Sequence, residues 1–248
     1  MTGLSPARVL IATTSHGEIG DTGRATGAYV PEVAHAWHVF RVAGYEVDLV
    51  SVRGGRPPLE AADRTDPVQA AFLDDPSAAA QLDATLRPDQ VEPHAYAAVL
   101  VAGGHGAVWD LPEDPPLATL LRDVWENGGV VAAVCHGPAA LVNVVLTDGT
   151  HLVAGRRVSG FTNDEEAAVG MTDLVPFLLA DALTERGAEF VSAPPFLPFV
   201  AVDGRLVTGQ NPPSATGVAE ATVAALARLP RRAGGGLSAD GPVVGARA

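Results

Sequence analysis

The chain has little of several features that define specialised protein classes. Its 248 residues include one cysteine, Cys135, so no disulfide forms within the chain and no zinc cluster of cysteines and histidines is spaced along it. No apolar run approaches the roughly 20 residues that a membrane-spanning helix needs, and the N-terminus lacks a signal-peptide pattern. We therefore expect a soluble, cytoplasmic protein.

Basic residues are also scarce. Lys and Arg number 16 against 29 Asp and Glu, which gives a formal net charge of −13. This charge repels phosphate backbones and anionic lipid, so we expect neither a nucleic acid nor a membrane as partner. Small neutral or weakly charged molecules remain as candidate partners.

Short apolar runs alternate with segments of helical period. The runs are rich in Val, Ile and Leu and predict strands at 8–14, 46–52, 97–102 and 130–134. Because each run is apolar at successive positions, both of its faces should be covered, as in a parallel sheet between two layers of helices. Helices are predicted at 31–43 and 116–126, where proline begins and glycine ends the periodic segment.

The second half of the chain continues the pattern. We predict a helix from Gly137 to Leu146, a hairpin around 154–156, a helix at 176–186 and a last helix at 214–228. Asp203-Gly204 lies between two apolar runs and predicts another hairpin. The alternation predicts the α/β class, as a doubly wound sandwich with a mostly parallel central sheet.

One domain is expected over residues 1–230. Residues 53–95 contain short Ala-rich helical pieces and are too long for an ordinary connection, so they are interpreted as an inserted, cap-like segment on the rim. Residues 231–248 lack a periodic apolar face and are interpreted as a low-complexity tail.

Cys135 ends a buried strand and begins a sharp turn into a helix. Gly137 permits the bend and Pro138 suits a first helical turn, so the segment is the cysteine counterpart of a serine nucleophile elbow. The positive end of the following helix is expected to favour the thiolate. The alternative is a buried structural cysteine.

A second glycine-rich junction follows the neighbouring strand. Gly103 and Gly104 leave backbone N–H groups unobstructed, which suits an oxyanion hole, and His105 either contacts substrate or lines the pocket. A plain chain reversal is the other interpretation of these glycines. Two such junctions on neighbouring strands favour a site, because ligands of open α/β sheets bind at the carboxyl ends of strands.

Five sequence blocks carry a resemblance to a known family. They are TGAYVPE at 26–32, AGGHG at 102–106 followed by Asp110 and Pro112, VVAAVCHGP at 130–138, GFTN at 160–163, and VTGQNP at 207–212. With them the chain resembles the ThiJ/PfpI superfamily, which is related to class I glutamine amidotransferases. Over residues 7–228 it is most similar to the branch of small heat-shock chaperones that act as glutathione-independent glyoxalases.

The resemblance implies a flavodoxin-like sandwich and a set of site residues. It assigns the nucleophile to Cys135, its histidine to His136, a nearby acid to Glu32, and the third member of the triad to Glu166. An offset to Glu165 or Asp164 remains open, because the three acids are consecutive. Dimers are common in the family, so a homodimer is expected.

No metal or other cofactor is expected. Glu32 and His35 have the Glu-x-x-His spacing of carboxylate-bridged metal bundles, but one copy in an α/β protein is weak evidence. The zinc site of some larger bacterial relatives depends on elements that are not located in this sequence.

The expected function is conversion of a small 2-oxoaldehyde, such as methylglyoxal, to a 2-hydroxy acid, as in methylglyoxal detoxification under stress. The same nucleophile would also serve a hydrolase, an amidotransferase-like enzyme or an enzyme of specialised metabolism, because a cysteine at an elbow also suits acyl transfer. A deglycase is a variant of the first function. A non-enzymatic holdase or a redox sensor based on Cys135 is a further alternative.

Overall fold

The computed structural model describes residues 7–229, and the predicted tail at 231–248 lies outside them. Strands and helices alternate along the described chain. The strands are β1 (Arg8–Thr13), β2 (Ala28–Tyr29), β3 (Glu46–Ser51), β4 (Leu59–Glu60), β5 (Tyr96–Val101), β6 (Val130–Val134), β7 (Arg157–Val158), β8 (Glu189–Phe190), β9 (Val200–Asp203) and β10 (Leu206–Gly209).

The α-helices are α1 (Val30–Val42), α2 (Pro67–Asp74), α3 (Pro76–Asp83), α4 (Ala107–Asp110), α5 (Pro115–Glu126), α6 (Asn163–Ala168), α7 (Leu179–Glu185) and α8 (Ala215–Arg228). Short 3₁₀ helices cover Pro88–Gln90, Pro93–Ala95, Gly137–Leu141 and Pro212–Ser214. Within residues 7–229, no helix combines the length and apolarity needed to cross a bilayer.

The central sheet has the order β3-β1-β5-β6-β10-β9. Its pairs are parallel except β10 with β9, which form the hairpin predicted at Asp203-Gly204. This order is the flavodoxin-like arrangement, so the predicted α/β sandwich with a mostly parallel sheet is confirmed. The carboxyl ends of β5 and β6 lie side by side, because these two strands pair directly.

The core follows from the apolar runs. All five residues of β6 are buried, and since successive side chains point to opposite faces, both faces of the sheet are covered. Helices α1 and α8 pack against each other, and α8 also packs against β5, β6 and β10. Helix α5 contacts β5 and β6 and buries Leu117, Leu120, Leu121 and Val124.

Two local predictions are wrong. The predicted helix from Gly137 to Leu146 is a 3₁₀ helix that ends at Leu141, and Val145 instead forms a bridge with His151. No hairpin forms around 154–156 in the described structure, because β7, which follows this turn, pairs in parallel with the distant strand β8.

The rim segment at 53–95 contains the predicted helical pieces as α2 and α3, which pack on α1 and β3 respectively. Its strand β4 pairs in parallel with β2, so that Glu60 lies opposite Tyr29 at the entry to α1. The segment therefore reaches the carboxyl edge of the sheet, where the predicted site residues lie.

Candidate active site

Cys135 occupies a strained elbow between β6 and the 3₁₀ helix Gly137–Leu141. Its φ angle of 60° lies in the left-handed region that residues with a Cβ rarely adopt. The conformation is held from both sides: the Cys135 N–H donates to Gly209 O at 2.9 Å, and its carbonyl accepts from the Phe161 N–H at 2.9 Å. Such strain costs about 1–3 kcal/mol and concentrates at functional sites.

Gly137 is required by the packing of this elbow. A Cβ at Gly137 would lie 2.2 Å from the carbonyl oxygen of Val101, on β5. The absence of a side chain therefore lets the turn after the cysteine lie directly against the neighbouring strand.

The sulfur begins a chain of three residues. Cys135 Sγ lies 3.4 Å from His136 Nδ1, and His136 Nε2 lies 2.8 Å from Glu166 Oε2. Because an ionised carboxylate only accepts hydrogen bonds, the proton is assigned to Nε2, which leaves the Nδ1 lone pair facing the sulfur. The order of thiol, imidazole and carboxylate matches the geometry of a catalytic triad.

Electrostatics favour a neutral imidazole beside an ionised acid. Burial is the main cause that lowers the pKa of His136 below its ordinary value, against the opposing hydrogen bond to Glu166. Burial alone would raise the pKa of Glu166, but hydrogen bonds from His105 and His136 outweigh it and lower that pKa to about 2. His136 is therefore available to accept a proton at neutral pH.

His105 is a second imidazole on the same acid. Its Nε2 lies 3.0 Å from Glu166 Oε1, and its ring centroid is 4.3 Å from that of His136. The side chain of His105 is 19% exposed, whereas that of His136 is 1% exposed. His105 is thus the member of this cluster that meets solvent.

Glu32 lies in the first turn of α1 and is fully buried. Its Oε2 accepts the Gly103 N–H at 2.6 Å, and its Oε1 has no hydrogen-bond partner among residues 7–229. Burial raises the pKa of Glu32 to about 8. The hydrogen bond from Gly103 and the contact with the Cys135 thiol lower this pKa, but by less than burial raises it. Near neutral pH its carboxyl therefore carries a proton beside the sulfur.

Burial also raises the pKa of Cys135 above its ordinary value, and a negative charge on Glu32 acts in the same direction. Backbone N–H groups of His136 and Gly104 face the sulfur and lower that pKa, but by less. The expectation that the following helix favours the thiolate is wrong for the resting site, because Cys135 is buried, with 4% of the residue exposed, and the following helix is one short 3₁₀ segment.

The structure brings together most of the residues predicted from sequence. Cys135, His136, Glu166, His105 and Glu32 meet at the carboxyl ends of β5 and β6, where Gly103 and Gly104 also lie. The Gly103 N–H is bonded to Glu32, whereas the Gly104 N–H faces the sulfur.

The three consecutive acids have different surroundings. Glu165 caps α6 by accepting from the Thr162 N–H and hydroxyl at 3.0 and 2.9 Å, and Asp164 is exposed. Only Glu166 of the three contacts His136. The Thr-x-x-Glu capping box at 162–165 is a sequence signal that would have distinguished Glu165 from Glu166.

Two groups of side chains contain residues that can bind metals. His35 bonds to Asp66 and Thr216 at 2.9 and 3.3 Å, so it forms no group with Glu32. Within residues 7–229, one group of three donors, His105, His136 and Glu166, has its ligand atoms within 4.8 Å of one another. Zinc accepts such donors, but here both Nε2 atoms already bond to the carboxylate.

Sequence reasoning missed the aromatic residue Phe161. Its ring centroid lies 4.5 Å from that of His136 and 5.9 Å from that of His105, and its N–H holds the Cys135 carbonyl. Phe161 lies in the GFTN block that carries the family resemblance, but no pattern in that block assigned its ring to the site. Sequence reasoning also missed Glu60, whose charge helps to raise the pKa of Glu32. Its position near Glu32 depends on the pairing of two strands of two residues each.

Comparison with known proteins identifies the family of this chain. The sequence model of the DJ-1/PfpI family matches residues 25–225. The chain belongs to the DJ-1/PfpI family. This membership confirms the family resemblance predicted from the five sequence blocks.

Similar DJ-1/PfpI proteins share most of their length with this chain. The glutathione-independent glyoxalase HSP31 of Saccharomyces cerevisiae is 33% identical over 241 residues, which cover 90% of this chain and 99% of the yeast protein. Glyoxalase 3 of Candida albicans is 32% identical over 232 residues, 88% of this chain and 98% of its own.

Solved structures of similar chains agree with the fold. The crystal structure of glyoxalase III from Candida albicans superposes with a TM-score of 0.81 at 31% identity, covering 88% of this chain and 97% of its own. The 24 kDa rapid encystment protein of Francisella tularensis gives a TM-score of 0.85 at 36% identity, covering 88% of this chain and 98% of its own.

Proposed function

We propose that this protein is a glutathione-independent glyoxalase that converts methylglyoxal or a related 2-oxoaldehyde to a 2-hydroxy acid. The observation that carries the proposal is the Cys135–His136–Glu166 chain, in which the Nδ1 lone pair of His136 faces the sulfur at 3.4 Å. Relatives named as glutathione-independent glyoxalases, about a third identical over most of the chain, support it.

The first step is nucleophilic addition. His136 Nδ1 takes the thiol proton, and the sulfur of Cys135 forms a bond to the aldehyde carbon of the substrate. The carbonyl π electrons move to oxygen, and the N–H of Gly104 and the protonated carboxyl of Glu32 are the donors available to that oxyanion. The product of this step is a hemithioacetal.

The next steps move hydrogen between adjacent carbons. The imidazolium of His136 first returns the thiol proton to the oxyanion, which completes the hemithioacetal and leaves His136 neutral. His136 then removes the proton from the carbon bonded to sulfur, which gives an enediolate, and returns it to the neighbouring carbon, while the hydroxyl proton on the first carbon moves to the oxygen of the second. The aldehyde carbon is thereby oxidised to a thioester and the ketone carbon is reduced to an alcohol. Water then hydrolyses the thioester, releasing the 2-hydroxy acid and restoring the thiol, so no external oxidant or reductant enters the balance.

Glu166 supports the base without reacting. It holds the proton of His136 on Nε2 and stabilises the imidazolium that forms during each transfer. His105, on the same carboxylate, is proposed to line the substrate side of the pocket.

The test is methylglyoxal consumption with chiral detection of lactate. Wild type should form lactate without glutathione, Cys135→Ala should form none, and His136→Ala should retain thiol addition but lose about 10²- to 10⁴-fold in turnover. Lactate formation by Cys135→Ala at the wild-type rate would overturn the mechanism.

Product analysis separates the competing enzyme class. Release of ammonia or a free acid from an amide or thioester, with no lactate from methylglyoxal, would instead support a cysteine hydrolase. A role in dicarbonyl detoxification under stress, a homodimer and a cytoplasmic location stay predictions from the sequence and the family resemblance.

A further inference from the structure

An exposed aromatic ring lies on a strained loop beside the active site. Phe196 is 45% exposed and is the only exposed aromatic residue in the part of the chain described here. Its φ angle of 61° is in the left-handed region, which is an outlier for a bulky side chain. The neighbouring Leu197 is 53% exposed.

The loop is held in this conformation by a buried carboxylate. Glu165 Oε1 accepts the Phe196 N–H at 2.7 Å and is fixed in turn by the side-chain amides of Asn211 and Gln210, at 2.8 and 3.1 Å. Asn211 also donates to the Leu197 carbonyl at 2.8 Å. Prolines at 194, 195 and 198 further restrict the backbone conformation of the loop.

Strain and exposure at one residue call for a physical reason. Burying Phe196 or relaxing its backbone would stabilise the chain, yet several buried polar groups hold the ring at the surface. Phe196 is also connected to the catalytic residues: its ring centroid lies 6.4 Å from that of Phe161, in an edge-on arrangement, and Phe161 lies against His136. The rings of His136, Phe161 and Phe196 therefore form a continuous row from the buried imidazole to the surface.

We propose that Phe161 and Phe196 form a subsite for the side chain of the substrate, which we call the aromatic subsite, and that it favours aryl-substituted 2-oxoaldehydes. The inference rests on the proposed function, in which the two carbonyl carbons of the substrate lie at Cys135 and His136. An aryl group attached to the second carbon is large enough to reach the rings, and edge-on aromatic contacts are favourable. The methyl group of methylglyoxal is too short to reach Phe196.

The difference in reach makes a ratio of two substrates diagnostic. Phe196→Ala should lower kcat/KM for phenylglyoxal by about 3- to 10-fold, the range of an aromatic contact, and should change kcat/KM for methylglyoxal by less than about 2-fold. Phe196→Tyr keeps the ring and should retain the wild-type ratio. Leu197→Ala, a matched control on the same loop, should also retain it.

A binding measurement distinguishes failure of the subsite from failure of the proposed function. In a Cys135→Ala background, which excludes covalent chemistry, calorimetric titration with mandelate and lactate should show tighter binding of mandelate, and Phe196→Ala should reduce this preference. If wild type turns over neither aldehyde but the mandelate preference depends on Phe196, the glyoxalase proposal fails and the aromatic subsite stands.

Two results would overturn the aromatic subsite. One is an unchanged substrate ratio and mandelate preference in Phe196→Ala; the other is an equal change in Leu197→Ala. If Phe196→Ala leaves the substrate ratio and the mandelate preference unchanged but alters the oligomeric state, the exposed ring serves contact with another copy of this chain and the subsite is rejected.

Discussion

At the scale of residues, three groups around the sulfur control where its proton resides. Burial raises the pKa of Cys135 and the pKa of Glu32, and it lowers the pKa of His136. All three changes favour the neutral forms, so the resting site holds a thiol, a protonated carboxyl and an uncharged imidazole. In the proposed mechanism, the thiolate forms when His136 accepts this proton.

Glu166→Gln tests the orienting role of this acid. Loss of the negative charge should reduce kcat/KM by about 10²- to 10⁴-fold, because His136 then lacks both a fixed tautomer and stabilisation of its charged form. Since the Glu166 charge raises the pKa of His136, the acidic limb of the pH–kcat/KM profile should also move to lower pH in the variant.

Asp164→Asn is the matched control for that variant, since it removes an exposed charge two residues away on the same helix. It should change kcat/KM by less than about 2-fold. Equal losses in the two variants would show that the charge of α6, and not the contact with His136, supports turnover.

At the scale of elements, the site depends on two strands that end side by side and on loops packed closely against them. Gly104, after β5, has a φ angle of 103°, and a Cβ there would lie 2.0 Å from the carbonyl oxygen of Gly27. The Tyr29 N–H also donates to Gly103 O at 3.1 Å. The start of α1, which carries Glu32, is thus fixed against the end of β5.

Gly104→Ala should destabilise the protein by about 2–5 kcal/mol, through backbone strain plus displacement of the Gly27 segment, and should abolish most activity. Gly128→Ala provides the comparison, because its φ angle of 81° is similar but no atom lies within 4 Å of the added Cβ. Its cost should be about 1–2 kcal/mol with activity retained. Urea unfolding measures both; equal destabilisation would contradict the role of the close contact.

Whether an element could be predicted from sequence depends on whether its signal is local. The strands at the centre of the sheet are continuous apolar runs, and the hairpin at Asp203-Gly204 is specified by adjacent residues. The turn at Gly155 has a local sequence signal, the glycine itself, which adopts a φ angle of 68° in the structure. The strand that follows pairs with residues more than thirty positions later. Local patterns contain no information on such pairing.

The predicted helix after Cys135 is too long for a different physical reason. Val142, Val144 and Val145 are β-branched, which lowers helix propensity. The segment 137–142 is also buried all round and thus lacks a one-sided apolar period that would mark its length. Sequence reasoning placed the cysteine correctly at the turn but overestimated the helix behind it, and with it the electrostatic support for a thiolate.

At the scale of the whole molecule, the site is assembled from segments far apart in sequence. Glu32 comes from α1, Gly103 and His105 from the end of β5, Cys135 from the end of β6, and Glu166 from α6. The flavodoxin-like strand order brings these segments to one edge. The alternation of strands and helices predicts this fold, whereas Glu32, His136 and Glu166 were assigned to the site from the family resemblance. The contacts that set each pKa depend on burial, which the sequence alone does not give.

Because Glu32 is buried, its ionisation should couple to global unfolding. Its pKa is about 8 in the folded protein and near 4.3 in an unfolded chain, so between these values the folded state retains a proton that the unfolded state has lost. Stability should therefore fall as pH rises from about 4.5 to 8, by at most ~1.4 kcal/mol per pH unit from this group. Below that window Glu32 is protonated in both the folded and the unfolded state, and its contribution to stability is fully present.

Glu32→Gln removes this titration while keeping a group of similar shape. The difference in unfolding free energy, variant minus wild type, should increase steadily between pH 5 and pH 8 and be flat below pH 4, where the contribution of Glu166 is common to both proteins and cancels. Urea unfolding at each pH measures the difference, with equal m-values as the condition for comparison. A difference independent of pH would mean that Glu32 is ionised in the folded protein, and the proposed proton beside the sulfur would then be absent.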